Sequence, residues 1–471
     1  MPELEQSIWE ALEPSSSGLP DSEPAGRCGH VAVSSQDGRR LIVIGGYNPE
    51  GVLSDAWEFH LERREWDRIS VTGGPSPPER TFFRGCAGPP PSSAALLQQQ
   101  GAEVGEGGEG LFAYVFGGTN AEGNATNAVW CLDVDNRMWH EVYREQEQGL
   151  QQQQDGASTR TVAPCARSNH AMCRAGGVLA VHGGETSSGS LLGDVWFFHP
   201  ASATWKEAGD SSPTSAAAAA AATAVAGPSP CPRSSHCLAF AARSADSSAI
   251  DTTSSSSAGT LVVFGGLGHV DHGDGFEEET MPLNDLWVLH LTAAAVGLGP
   301  GSGGGASDGE EGYSVLRCVW SSVLLDGVGP SPRSLAAIVA PRQRYGNTNS
   351  GSNEDGADLF LFGGYGLVEL SGSGMVVDGA EEEEEGGEII MAYIDDLWRL
   401  SLGGGGDDAD VSAPTEWVNE AGMGFAGESI VEGRNGHTLT WCGEKLVLFG
   451  GFVGDGFDAG VHVAEPPSSM D

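Results

Sequence analysis

The chain has 471 residues and a formal net charge of −42 at pH 7, from 65 acidic and 23 basic residues. Such an acidic surplus argues against nucleic acid or an anionic membrane as a partner, since both are recognised by clustered Lys and Arg. Nine cysteines, an odd number scattered without regular pairing or metal-finger spacing, argue against a disulfide framework or a zinc site and suit a reducing compartment.

Taken in chain order, Met1 to Leu12 is acidic and lacks the apolar core of a secretory leader. The longest near-apolar stretch, Ala216 to Ala226, is too short and too weakly hydrophobic to span a bilayer. A cytoplasmic location is expected, with the nucleus also open. From Arg27 onward one unit recurs six times. Its fixed mark is an apolar run ending in Gly-Gly: Gly45-Gly46, Gly117-Gly118, Gly183-Gly184, Gly265-Gly266, Gly363-Gly364 and Gly450-Gly451. An arginine precedes each run, followed three residues on by histidine in four units: Arg27/His30, Arg167/His170, Arg233/His236 and Arg434/His437. Arg80 and Arg333 take the same place before Phe83 and Ala336. Downstream comes a polar-apolar-Trp run at Asp55-Ala-Trp57, Asn127-Ala-Val-Trp130, Asp194-Val-Trp196, Asp285-Leu-Trp287 and Asp396-Leu-Trp398. A second tryptophan closes the first five units, at Trp66, Trp139, Trp205, Trp320 and Trp417.

These marks predict four short strands per unit, a to d. Strand a follows the arginine, b is the apolar run, c carries the first Trp and d begins at the second. Continuous rather than alternating apolar b runs are expected of strands covered on both faces. Gly-Gly serves where the backbone turns sharply or nears a neighbour, and the Trp rings fill the wedge between sheets. The Arg and His side chains are read as donors that satisfy buried carbonyls. The sixth unit has only a weak strand c around Asp458 to Val463 and no closing Trp, whereas Trp9 stands alone before the first unit. The N-terminal segment is therefore expected to supply the last strand of the sixth sheet and close a ring, which removes exposed sheet edges.

The succession Arg-x-x-His, apolar-Gly-Gly, Asp-Leu-Trp, Trp resembles the kelch repeat, and the resemblance runs from Trp9 to about Val463. It implies an all-β, six-bladed kelch β-propeller with four antiparallel strands per blade, filling 1–471 as a single domain. The expected blades are 27–66, 80–139, 167–205, 233–320, 333–417 and 434–463 plus 7–12. Low-complexity inserts are expected as disordered loops at 88–109, 145–160, 209–228, 242–258, 295–312, 343–357, 371–389 and 403–413.

Enzyme signals are thin. The run His269-Val-Asp271-His272-Gly-Asp274 has metal-type side chains, but on a flexible glycine-rich loop these make at best a weak site, and no metal or cofactor is assigned. No Walker-type Gly-Lys-Ser/Thr occurs, and the one Gly-x-Ser-x-Gly match, Gly305 to Gly309, falls in a low-complexity insert rather than on a strand-to-helix elbow. The Glu-x3-Asp-x3-His iron motif of the plant nitrile-specifier relatives is missing too, and no catalytic residue is named. The b–c loops share one face of a propeller. Over 47–54, 119–127, 185–193, 267–284, 365–394 and 452–457 they hold 17 Asp or Glu and no Lys or Arg, whereas the d–a loops on that face carry Arg144, Arg160 and Lys206. Candidate contacts are Glu50, Glu122, Glu185, Asp271, Glu369 and Asp455, one acid per blade, with Tyr47, His269, Tyr365 and Phe452 supplying area. The expected function is a non-enzymatic protein-interaction scaffold, with a basic segment as the candidate partner. The alternatives are a substrate-recognition subunit of a ubiquitin ligase and a metal-dependent or small-molecule enzyme on the same fold.

Overall fold

The computed structural model describes residues 9–15, 22–71, 74–91, 110–120, 122–144, 163–208, 228–242, 257–270, 279–292, 319–323, 328–341, 357–370, 388–402, 416–421 and 431–465. Among these residues every regular element is a strand, and all pairing is antiparallel. Strand β1 (Trp9–Ala11) precedes the first sheet, which is β2 (Val31–Ser34), β3 (Arg40–Asn48), β4 (Gly51–His60) and β5 (Glu65–Arg68). The second is β6 (Arg84–Gly88), β7 (Phe112–Phe116), β8 (Val129–Asp133) and β9 (Met138–Tyr143). The third is β10 (Ala171–Ala175), β11 (Val178–Glu185), β12 (Leu191–His199) and β13 (Thr204–Glu207). In the fourth, β14 (Arg233–Ser234) and β15 (Cys237–Ala242) both pair with β16 (Ser257–Val270), followed by β17 (Glu279–Thr292) and β18 (Val319–Val323).

The fifth unit splits in two. After β19 (Arg333–Ser334), β20 (Ala337–Val339) and β21 (Ala357–Phe362), the chain forms a hairpin of β22 (Tyr365–Leu370) and β23 (Glu388–Tyr393). It then returns as β24 (Leu397–Leu402) and β25 (Glu416–Ala421). The blade proper is β20-β21-β24-β25, and β19-β22-β23 is a small sheet of its own. The sixth sheet joins β26 (Thr438–Cys442), β27 (Lys445–Phe449) and β28 (Val461–Ala464) to β1, in the order β1-β28-β27-β26. Trp9 pairs with Ala464 and Ala11 with His462, so strands from both ends of the chain meet in one sheet.

Apolar side chains fill the spaces between sheets, and the buried residues fall into six clusters, one for each successive sheet pair. One joins sheets six and one through Leu41, Val43, Trp57, Phe59, Trp66, Val447, Phe449 and Val461. Another joins five and six and takes in Trp9, whose ring meets Phe362 edge-on at 5.3 Å. The b strands supply most of the fully buried aromatic rings, among them Phe116, Phe264, Phe362 and Phe449, as their continuous apolar sequence requires. The innermost strands touch in the cycle β2, β6, β10, β15, β20, β26 and back to β2.

The expected inserts lie for the most part outside the described residues. At their margins Gly88, Ala242, Ser257, Ala357, Glu388 and Ile389 are strand residues, so the expected bounds reach too far. The b–c segments are also less loop-like than the sequence implies. In the fourth and fifth units they continue as paired strands as far as Val270–Glu279 and Leu370–Glu388. Their β-branched and aliphatic residues (Val270, Val368, Ile389 and Ile390) pair once a partner strand is opposite, although glycine and glutamate dominate the local composition.

Candidate functional site

The site is built on a neck. The residue two after each repeat arginine (Gly29, Phe82, Asn169, Ser235, Leu335, Gly436) has a left-handed backbone, with φ between 51° and 64°. Five backbone hydrogen bonds link these residues: Gly29 N to Gly436 O at 2.8 Å, Gly436 N to Leu335 O at 3.1 Å, Leu335 N to Ser235 O at 2.9 Å, Ser235 N to Asn169 O at 2.7 Å and Asn169 N to Phe82 O at 3.0 Å. One residue from each repeat is thereby joined in a single hydrogen-bonded series.

The Gly-Gly pairs stitch each blade to the next. All twelve glycines have positive φ. In four units a Cβ on the first glycine would strike the histidine three residues after the next blade's arginine, Gly117 and Gly363 at 2.7 Å from His170 and His437 Cε1, Gly183 and Gly450 at 2.8 Å from His236 and His30 Cε1, and that arginine's carbonyl oxygen at 2.6–3.0 Å. A Cβ on the second would meet its own blade's residue there, as Gly266 meets His236 Cβ at 2.5 Å. The amides of Gly118, Gly364 and Gly451 also donate to the next blade's arginine carbonyl, Gly451 N to Arg27 O at 2.9 Å joining the sixth and first units.

The repeat arginines are buried, and all six bond to backbone carbonyls. Each donates Nη1 to the carbonyl of its own first glycine at 3.0–3.2 Å, and Nε to the carbonyl two residues before it. Five also hold a carboxylate: Arg27 with Asp55, Arg167 with Asp194, Arg233 with Asp285, Arg333 with Asp396 and Arg434 with Asp458. The indole N–H of Trp57, Trp196, Trp287 and Trp398 donates to the same carboxylate at 2.6–2.7 Å. Burial pushes Asp55, Asp194 and Asp285 up, but hydrogen bonds and charge from their arginines outweigh it and hold these carboxyls below their usual range. Each repeat arginine thus donates to two carbonyls. The histidines differ. His437 Nε2 reaches Phe362 O at 3.1 Å, but His30 meets Thr438 Oγ1 at 2.9 Å and His236 meets His182 Nδ1 at 2.8 Å. Both ring nitrogens of His170 are buried with no hydrogen-bond partner, so its role is packing.

On the b–c side a row of half-buried rings crosses four units: Phe82, Tyr47, Phe457, Phe452, Tyr393 and Tyr365, with successive centroids 4.9–5.9 Å apart. The expected contacts Tyr47, Tyr365 and Phe452 are thus brought together. Phe82, Phe457 and Tyr393 were missed, and only their aromatic type beside the repeat marks could have signalled them. Glu50, Glu122, Glu369 and Asp455 are exposed on this side, as is His269, which meets Thr280 Oγ1 at 3.1 Å. Glu185 is not a free contact: it is half-buried and accepts a hydrogen bond from Asn169 Nδ2 at 2.7 Å. Asp271, His272 and Asp274 lie outside the described residues. Among the described residues no three His, Cys, Asp or Glu side chains cluster as a metal site. The eight described cysteines are free thiols, and burial raises Cys28 to about 11 and both Cys86 and Cys237 to about 12.

A cation that the loop count overlooked stands nearby. Arg84, the first residue of β6, donates Nη1 to Phe83 O at 3.1 Å and lies near Cys237, Cys28 and Tyr47. A concavity of about 670 Å³ is on the other side at the seam of sheets six and one. Its charges are largely matched there, Arg64 to Glu10 at 3.1 Å, Lys445 to Glu465 at 3.1 Å and Arg39 to Glu62 at 3.6 Å.

The family described as the KLHDC2/KLHL20/DRC7 Kelch-repeats domain matches residues 110–402, and the one described as the Kelch motif matches 26–73. The chain belongs to the kelch-repeat family. No curated protein matches it. A solved structure titled "Structure of YjhT" aligns over 94% of this chain and 95% of its own, at 13% identity and a TM-score of 0.45.

Kelch propellers generally bind other proteins, and most are not enzymes. No helix among the described residues is long and apolar enough to cross a membrane. Within the kelch pattern one expected equivalence fails. Asn127 does not stand in for the aspartate of the other units, since its Nδ2 donates to Pro164 O at 3.0 Å. Val115 pairs with Trp130 as Val43 pairs with Trp57, which sets Ala128 in the place of Asp55. The extra residue before Trp130 hid this from a reading by spacing.

Proposed function

We propose that this chain is a six-bladed, single-domain, non-enzymatic interaction propeller whose b–c face takes a basic, extended segment of a partner protein. The observation that carries the reading is the ring row from Phe82 to Tyr365, half-exposed beside Glu50, Glu369 and Asp455. Rings of this kind offer large, stiff contact area and a negative π-face to Arg or Lys side chains. The surrounding acids add a field that speeds encounter with a basic chain and penalises an acidic one. Arg84 limits that field at its centre, so the acidic rim, not the neck, is the favoured place for positive charge.

The test compares an alternating Arg-Val octapeptide with its Glu-Val counterpart by fluorescence anisotropy over a salt series. The basic peptide should bind, more weakly as salt rises. Replacing Glu50, Glu122, Glu369 and Asp455 with Gln or Asn should weaken it strongly and leave the melting temperature nearly unchanged. Equal binding of both peptides, or of the parent and the quadruple variant, defeats the reading.

A further inference from the structure

Five blades hold an internal carboxylate between their arginine and, in four of them, their first indole N–H. Blade two keeps both donors, Arg80 and Trp130, but its sequence supplies Ala128 where the aspartate stands. The backbone confirms the match: Gly117 N reaches Ala128 O at 3.4 Å, as Gly363 N reaches Asp396 O at 3.3 Å. Arg80 is only 6% exposed and makes the two carbonyl contacts of its kind, to Pro78 and Gly117. Among the described residues no carboxylate lies within ion-pair distance of it. Glu141 acts on it from farther off and is itself paired with Arg144 at 2.6 Å. Burial pulls the Arg80 guanidinium down to about 10. Trp130 Nε1 is buried without a hydrogen-bond partner. A buried cation and a buried donor of this kind are costly unless something accepts from them.

We infer that blade two carries a carboxylate socket, in which Arg80 and Trp130 receive from outside the blade the group that an aspartate side chain supplies elsewhere. What the alanine leaves out of an aspartate side chain is its carboxylate, so a head the size of formate is the group missing from the place. The b–c side is the nearest surface: the matching side chains of Asp55, Asp458, Asp194 and Asp285 keep 17–40% exposure, although Asp396 keeps only 3%. The socket stands apart from the ring row and does not rest on the basic-segment reading. Its ligand is a free small carboxylate or the end of an acidic side chain, and the two sources can be separated.

The experiment follows thermal unfolding of the full chain in sodium formate against sodium chloride at equal ionic strength, then in N-acetyl-aspartate amide. The parent should gain about 1–3 °C in formate, saturably, over chloride. A128D should melt higher than the parent without formate and show no formate-specific gain. Response to formate alone identifies a small anion as the ligand, and response to both probes identifies an acidic side chain. No gain of the parent over chloride, or an equal gain in A128D, overturns the proposal. Should A128D fail to fold, W130F serves instead: losing one neutral hydrogen bond should raise the half-saturating formate concentration about fivefold. An unchanged midpoint in W130F would refute the socket as drawn.

Discussion

Gly117 and His170, from neighbouring blades, press on each other: a Cβ on Gly117 would stand 2.7 Å from the imidazole Cε1, and 2.6 Å from Arg167 O beside it. The glycine also has φ 68°, so an alanine there meets both a clash and an unfavourable backbone. Gly117→Ala should lower stability by at least about 1–3 kcal/mol, the range for a strained non-glycine backbone, before any cost of moving His170. Denaturant unfolding of the variant checks this. Pairing it with His170→Ala should return part of the loss if the contact is the cause, because neighbouring sites couple.

The Gly-Gly marks were legible because each glycine combines a positive φ with no room for a Cβ, which leaves one residue type possible and repeats it six times. The strand order and the pairing of Trp9 with the C-terminal strand were legible for a similar reason, each being tied to one conspicuous residue. Phe82, Leu335 and Ser235 at the neck were not, since their left-handed backbones are imposed by hydrogen bonds to neighbouring blades far away in sequence. Glu185 looked like an exposed loop acid because Asn169, its donor, lies on a different segment. Ala128 was hidden because one extra residue before Trp130 moves the count and leaves the fold unchanged.

The ion pairs between arginine and aspartate predict a second outcome. Asp194→Ala would give blade three the arrangement that blade two has by nature. Removing one partner of a buried pair costs about 3–5 kcal/mol, and Asp194 belongs at the lower end because its side chain is 26% exposed. The loss should exceed that from removing the surface partner Glu62, whose pair with Arg39 is exposed on both sides. Equal losses in the two variants would show that the repeat pairs contribute no more than surface ones.

Acid should unfold this protein earlier than its carboxylates alone would require. Burial, aided by the nearby arginine charges, depresses His30, His170 and His236 well below the ordinary 6.5, and holds His437 and His182 at about 3. A group whose folded pKa is depressed binds protons more readily when unfolded. Stability is therefore whole above about pH 6.5 and falls as the pH drops from there towards 3. Melting temperatures measured from pH 7.5 to 4 should decline beginning near 6.5. Replacing His170, which has no hydrogen-bond partner, with Phe should flatten the decline between 6.5 and 5. A parent curve flat down to pH 5 would show that these imidazoles take up protons without opening the fold.

The seam between the chain ends provides the last prediction. Trp9 is 4% exposed, packs on Phe362 and opens the strand that pairs with Val461–Ala464. If that strand completes a closed ring, deleting residues 1–12 removes a buried indole and uncovers the backbone edge of β28 at once. Loss of a buried Trp alone costs about 3–5 kcal/mol, so Trp9→Ala should lower the melting temperature measurably and the deletion should lower it further. The uncovered edge should also promote self-association, because an unpaired strand is a template for another chain. Sedimentation velocity and thermal unfolding of both variants decide the matter. A deletion variant that stays monomeric and melts with the parent would mean that β1 lies on the sixth sheet without holding it closed.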